Sequence, residues 1–208
     1  MKNGRPSKIV CVGRNYVAHA KELGNEVPER PMLFFKPPSA LIASDEAIVL
    51  PPASSRVEYE GEIGVVIGRT LRDATPAEAE EGIAGFICIN DVTARDLQKS
   101  DGQWGRAKGF DTFCPAGPAV AEGLDWRNLE VITRVNGEPR QRGSTADMHF
   151  QIPELLSYIS GVMTLEPGDY VATGTPAGVG ILAPGDVVEV EIPGVGVLRN
   201  PVTVAEDR

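Results

Sequence analysis

Nine short runs rich in β-branched and aromatic residues, each bounded by glycine, proline or aspartate, limit what this chain can fold into more than any other feature. They are KIVCVG (8–13), MLFFK (32–36), AIVL (47–50), EIGVVIG (62–68), GFICIND (85–91), EVITRVNG (130–137), DYVATG (169–174), DVVEVEI (186–192) and GVLRNPV (196–202). Runs this short, interrupted at turn-like intervals, read as strands. The 23 glycines and 17 prolines supply the turns that so many strands need. Helix is expected at three places: Asn15 to Leu23, TPAEAEEGI (75–83) and IPELLSYIS (152–160). In the second, Thr75 is placed to cap the helix with Pro76 in its first turn. In the third, Ile152, Leu155, Leu156 and Ile159 share a face that can pack on a sheet. No internal repeat, linker or shift of composition divides the 208 residues. We therefore read 1–208 as one mostly β domain with a few short helices.

The stretch VEYEGEIGVVIG (57–68) carries an unusual feature, three glutamates along one face of an apparent strand. Strand alternation puts Glu58, Glu60 and Glu62 on one side and Tyr59, Ile63, Val65 and Ile67 on the other. Same-face neighbours lie roughly 6.5–7 Å apart, so ionised carboxylates there repel unless solvent or a cation separates them. Either a solvated edge or a cation site answers this. Gly64, Val66 and Gly68 continue the acidic face, which argues against a purely wet surface, and the glycines leave room for a group to approach the backbone. A hard divalent cation on Glu60 and Glu62 would need a third ligand. Asp91, at the polar end of GFICIND, is a candidate, although Asp at such a point is also a common helix cap. Oxygen-only ligation selects Mg²⁺, Mn²⁺ or Ca²⁺. With only His19 and His149 in the chain, a His-rich zinc or iron site is excluded.

Composition narrows the partners. A formal net charge of −9 argues against nucleic acid or an anionic membrane, both of which are bound through excess Lys and Arg. No apolar run is long enough for a signal peptide or a membrane span, so a cytoplasmic location is expected. Cys11, Cys88 and Cys114 are odd in number and scattered without CxxC spacing, which favours buried free thiols. In an acidic chain, the basic pair Arg106 and Lys108 stands out. If their segment is extended they share a face, either as solvated side chains or as a site for an anionic carboxylate. His19 and Glu22 are three apart, so one helical turn brings them together as an oriented general base, although such pairs also arise by chance on exposed helices. YVATGTPAGVG (170–180) matches no nucleotide-binding motif. It is either a tight turn or a cradle in which the hydroxyls of Thr173 and Thr175 hold a carboxylate.

Taken in order, GRNYVAHAKE (13–22), FFKPPSA, EYEGEIGVVIG, GFICINDVTARDLQ, RAKGFDTFCPAGP, VNGEPRQRGSTADMHF and TGTPAGVG resemble the fumarylacetoacetate hydrolase superfamily from about residue 8 to 200. They are most similar to its short, single-domain acylpyruvase-like members. The resemblance implies a mixed β-roll of the fumarylacetoacetate hydrolase C-terminal domain type, assembled as a homodimer. It implies Mg²⁺ or Mn²⁺ held by Glu60, Glu62 and Asp91, with Lys108 beside the metal. His19 and Glu22 match the water-activating pair on a mobile lid over Asn15 to Arg30, and Arg14, Lys36, Gln98, Arg106 and Thr175 fall around a small oxo-acid substrate. The sequence lacks the separate N-terminal domain of longer members, which argues against the hydrolase of tyrosine breakdown itself. The expected reaction is hydrolysis of a 2,4-dioxo acid, of acylpyruvate or fumarylpyruvate type, to pyruvate and a carboxylic acid. Oxaloacetate decarboxylation and isomerisation or decarboxylation of 2-hydroxyhepta-2,4-diene-1,7-dioate in aromatic catabolism are the alternatives. Retention of His19 and Glu22 speaks against a non-catalytic dicarboxylate binder.

Overall fold

The computed structural model describes residues 5–22 and 24–205. All nine runs form strands. The first half contains β1 (Ile9–Gly13), α1 (Val17–Glu22), β2 (Met32–Lys36), β3 (Leu41–Ile42), β4 (Ile48–Leu50), β5 (Val57–Tyr59), β6 (Gly61–Ile67), α2 (Pro76–Glu81) and β7 (Ile83–Asn90). Then follow β8 (Thr93–Ala94), α3 (Arg95–Ser100), α4 (Gly105–Gly109), β9 (Cys114–Ala121), β10 (Glu130–Val135) and β11 (Glu138–Ser144). The chain ends with α5 (Ile152–Val162), β12 (Tyr170–Ala172), β13 (Gly180–Ile181), β14 (Val187–Ile192) and β15 (Gly196–Val204). Among the described residues no helix is long and apolar enough to cross a membrane.

Three sheets form, with strand orders β2-β1-β12-β6-β7-β9-β3, β11-β10-β14-β15-β4 and β13-β5-β8. The fold is the mostly β, curled half-barrel of the type implied by the resemblance. Alternation along the seven-stranded sheet decides what lies on each side. Val10, Val12, Ile63 and Val65 point toward Val131, Val190, Ile192 and Leu198 of the five-stranded sheet and toward α5, forming the main core. Ile9, Cys11, Ile87, Ile89 and Ala172 point the other way into a second apolar cluster. In the ladder, Glu62 pairs with Ile89 and Lys36 with Ile9. Both charged side chains therefore belong to the second face, and the polar site grows from one end of it.

The acidic stretch is two strands rather than one. β5 lies in the three-stranded sheet and β6 in the seven-stranded sheet, and the chain changes sheets at Glu60. There the side chain of Asn90 accepts from the Glu60 N–H at 3.0 Å, while Glu60 O accepts from the Asp91 N–H at 2.8 Å. The buried backbone groups at the break are thus satisfied. The space at Gly64, expected to admit an approaching group, is filled by the neighbouring strand. A Cβ there would meet Ile89 Cδ1 at 2.5 Å, so glycine serves close strand packing.

The three expected helices correspond to α1, α2 and α5; the last residue expected in the first, Leu23, lies outside the described residues. Thr75 and Glu78 form a reciprocal capping box, and the four apolar residues of α5 are fully buried. Helices α3 and α4 were not expected. They have six and five residues and no side-chain cap, so their local signal is weak and tertiary contacts hold them. Strands β9 and β11 also escape the pattern, because Pro115, Pro118 and Pro139 break it; β11 is a sheet edge, where proline is tolerated.

Asp169 docks the parallel pair of β1 and β12. Its buried carboxylate accepts from the Ser7 N–H at 2.9 Å, Ser7 Oγ at 2.7 Å, Lys8 Nζ at 2.5 Å and the Glu166 N–H at 2.8 Å. Burial opposes its ionisation, but the bonds from Lys8, Glu166 and Ser7 outweigh it and hold the carboxyl below its ordinary range. A depressed carboxyl stabilises the fold above the unfolded pKa and ceases to do so as pH falls through its folded value. Asp169→Asn should cost about 2–3 kcal/mol in urea unfolding at neutral pH. The gap to wild type should narrow once pH drops below about 4.

Candidate active site

At the end of the second face lies a cavity of about 310 Å³ whose wall includes Glu60, Glu62 and Asp91. Each of these buried acids offers one carboxylate oxygen, and the three oxygens lie within 4.8 Å of one another. Carboxylates this close in a weakly screening interior repel strongly. Cations offset that repulsion. Lys108 Nζ bonds Glu60 Oε2 at 2.8 Å and Asp91 Oδ2 at 2.5 Å, and Lys36 Nζ bonds Asp91 Oδ1 at 2.5 Å. Arg95 donates through Nη2 to Glu60 Oε1 and through Nε to Glu58 Oε2, the latter at 2.7 Å. Arg56 closes the row with a 2.6 Å bond to Glu58 Oε1.

These bonds divide the acids. Burial would raise the Glu60 carboxyl, but Lys108 and Arg95 outweigh it and hold the group below its ordinary range. Among the described residues Glu62 has no such partner. Burial, then the charges of Asp91 and Glu60, push it well above the ordinary carboxyl range, although its Oε2 accepts from the Gly174 N–H at 2.8 Å. Lys108 is raised, because Asp91 and Glu60 overcome the burial that would lower it. The site thus retains one carboxylate without a cation of its own.

His19, 5% exposed, shares the cavity wall. Its Nδ1 lies 3.3 Å from Glu22 Oε2, and the Gly178 N–H donates to Glu22 Oε1 and Oε2 at 3.0 and 3.2 Å. An Nδ1–H facing Glu22 leaves Nε2 as the free acceptor. The segment entering α1 is pinned by Asn15, whose Nδ2 donates to Thr173 O at 2.9 Å and Phe150 O at 3.1 Å while its Oδ1 accepts from the Phe150 N–H at 2.8 Å. These bonds hold the adjacent Arg14 at a φ of 58°, a left-handed backbone that costs a non-glycine residue roughly 1–2 kcal/mol.

The structure brings Arg14, His19, Glu60, Glu62, Asp91, Gln98, Lys108 and Thr175 to one cavity. It does not bring Lys36 or Arg106 there. Lys36 is buried behind Asp91, where its second bond goes to Val92 O at 3.0 Å. Arg106 is exposed and doubly bonded to Asp101, at 2.7 and 2.6 Å. The reason is α4: positions two apart on a helix diverge by about 200°, so only Lys108 turns inward. Of the two readings of the 170–180 turn, the hydroxyls of Thr173 and Thr175 fit the tight turn rather than the cradle. Both donate to β6 carbonyls, Ile63 O at 2.8 Å and Gly61 O at 2.9 Å, and so stitch the turn to the sheet.

Residues that sequence reasoning passed over complete the site. Arg95 donates from Nη1 to Gln98 Oε1 at 2.6 Å, which turns the amide N–H groups of Gln98 away from itself. Gln141 spans Gly61 N–H at 2.9 Å, Thr175 Oγ1 at 2.7 Å and Pro176 O at 2.8 Å. Phe34 and Trp104, edge to face with centroids 5.1 Å apart, form the apolar wall beside Lys108. A signal for Arg95 was present in the polar cluster that follows GFICIND; Gln141 sits in a polar edge strand and gave none.

Known proteins share this architecture. The structure superposes on that of a 5-carboxymethyl-2-hydroxymuconate delta-isomerase from Mycobacterium smegmatis with a TM-score of 0.91 and 47% identity, over 97% of this chain and 80% of that one. It is similar to a fumarylacetoacetate hydrolase from Exiguobacterium antarcticum, with a TM-score of 0.89 and 43% identity over 97% and 76% of the two chains. In sequence it is 42% identical over 210 residues to the human mitochondrial oxaloacetate tautomerase, covering 95% of this chain and 67% of that protein. The family model of the fumarylacetoacetate hydrolase C-terminal domain matches residues 8–203, and the chain belongs to the fumarylacetoacetate hydrolase family.

Proposed function

We propose that the chain is a divalent-metal-dependent hydrolase of a C–C bond in a 2,4-dioxo acid, releasing pyruvate and a carboxylic acid. The observation that carries this reading is the meeting, in one cavity, of the Glu60, Glu62 and Asp91 oxygens with His19, whose Nδ1 faces Glu22. The donor set fits a hard ion: three carboxylates, no nitrogen or sulfur, and Glu62 left without a cation of its own. Mg²⁺ or Mn²⁺ there would act as a Lewis acid toward the 2-oxo acid end of the substrate. Charge balance agrees. Glu58, Glu60, Glu62 and Asp91 are matched by Arg56, Arg95, Lys36 and Lys108, so a divalent ion adds two positive charges, suited to a substrate that passes through a carboxylate enolate.

In this reading Lys108 and Gln98 hold the substrate carboxylate and oxo oxygens while Phe34 and Trp104 exclude water. His19 Nε2 takes a proton from water, with Glu22 stabilising the resulting imidazolium through Nδ1–H. The hydroxide adds to C4, the C3–C4 bond breaks with its electron pair passing into the pyruvate enolate, and His19 returns the proton to C3. A second reading uses the same groups on a 2-oxo dicarboxylate, where His19 moves the C3 proton to give the enol tautomer or an isomer, or delivers a proton to C3 after the bond to the departing carboxylate breaks and CO₂ leaves its electron pair in the enolate. The relatives named for isomerisation and oxaloacetate tautomerisation favour it, as do Arg14 and Lys99, which add positive charge to the wall.

Acetylpyruvate, fumarylpyruvate and oxaloacetate offered side by side to metal-stripped protein with added Mg²⁺ or Mn²⁺ should give pyruvate fastest from a diketo acid. Enolisation of oxaloacetate without diketo-acid cleavage would instead support the second reading. His19→Ala should lower diketo-acid cleavage at least 10²-fold while leaving Mn²⁺ affinity within about twofold. Because Glu62 is raised, ion binding should release a proton and weaken about tenfold per unit as pH falls below the raised value. Calorimetry in buffers of differing ionisation enthalpy measures that release, and Glu62→Gln should abolish it.

A further inference from the structure

We propose that Tyr59 is a positioning residue for the His19–Glu22 pair, acting through Gly178. This rests on the base role given to His19 above. Tyr59 lies between Glu58 and Glu60, yet alternation turns it to the opposite side, where it is 4% exposed. Its ring packs in an apolar cluster with Val57, Val92 and Phe113, which a phenylalanine would serve equally well. The hydroxyl has a separate task, donating to Gly178 O at 3.0 Å. The N–H of that same residue holds both Glu22 oxygens, and Glu22 faces His19 Nδ1. Tyr59 Oη, Gly178, Glu22 and His19 therefore form one continuous chain of contacts from β5 to the imidazole.

The seat is built for this purpose. Gly178 has a φ of 100°, and a Cβ there would lie 2.1 Å from Arg140 O, so the residue is fixed in a backbone state open to glycine. Gly180 pairs with Tyr59 in the β13–β5 ladder, and a Cβ on it would lie 2.8 Å from Tyr59 Oη. The bare backbone at 180 lets the ring lie flat enough for the hydroxyl to reach 178. Without that bond nothing on the β5 side fixes the Gly178 carbonyl. A small rotation about the Gly178 backbone would then move its N–H off the Glu22 oxygens, and Glu22 would lose its hold on the Nδ1–H tautomer.

Tyr59→Phe keeps the ring and removes only the hydroxyl. With two histidines in the chain, ¹⁵N-imidazole NMR of the intact protein at a pH where both rings are neutral reads the His19 tautomer directly, with His149 as the internal reference. The variant should shift His19 from predominantly Nδ1–H to a mixture with Nε2–H, and kcat on the substrate that the wild type turns over should fall about tenfold with KM within twofold. An unchanged tautomer ratio overturns the proposal whatever the rate does. A shifted ratio in a protein whose wild type cleaves none of the diketo acids would leave the positioning role standing and remove the hydrolase reading instead.

Discussion

Buried charge governs this molecule. Three carboxylates and four cations interlock where the chain changes sheets at Glu60, and each link relies on the next: Arg56 to Glu58, Glu58 to Arg95, Arg95 to Glu60, Glu60 to Lys108, Lys108 to Asp91 and Asp91 to Lys36. Removing one partner of such a pair typically costs about 3–5 kcal/mol, because the other charge is left in an environment that cannot solvate it. The elements that carry these residues are short. β5, which carries Glu58, has three residues, α3 six and α4 five, too few to persist on their own. They are placed by the charges they bear, and the cavity is placed by them.

That dependence explains how much could be read from the sequence. Most strands of the two larger sheets, β3, β9 and β11 excepted, announce themselves through apolar runs with turn signals, and α2 and α5 through a cap and an apolar face. Those are local properties. What could not be read is what depends on distant partners. Lys108 and Arg106 look equivalent two residues apart until α4 turns one inward and leaves the other with Asp101. Lys36, which the resemblance places around the substrate, is directed by the Ile9 register behind Asp91. Gln141, in the exposed-looking run EPRQRGS, is buried because β11 passes the turn at 175–178. The acidic face itself was legible as a conflict of like charges; its resolution by Arg95 from outside the strand was not.

The family's relatives carry names for different reactions, and the proposed site divides the work in a way that would let one site serve them. The proposed base is held by α1 and the turn at Gly178, whereas the three acids lie at the start of β6 and just past β7, and their cations come from β2, α3 and α4. On the proposed reading, enolate stabilisation and proton transfer would thus come from separate parts of the chain. Altering which carbon His19 faces, or what lies at the Arg14 and Lys99 side of the cavity, would change the outcome without disturbing the charge network.

The change of sheet at Glu60 also bears on how this stretch can vary. Glu58 and Glu60 are tied to Arg95 on one side of the break, and Glu62 to the Gly174 N–H on the other, with Tyr59 and Gly61 bonded through Gly178 and Gln141 between them. Both ends are in fixed register with other strands. A single inserted or deleted residue anywhere from 58 to 62 would invert the side-chain order of one half relative to the other, exchanging Tyr59 or Gly61 with a glutamate. Residue identity within the segment can drift where packing permits, but its length cannot.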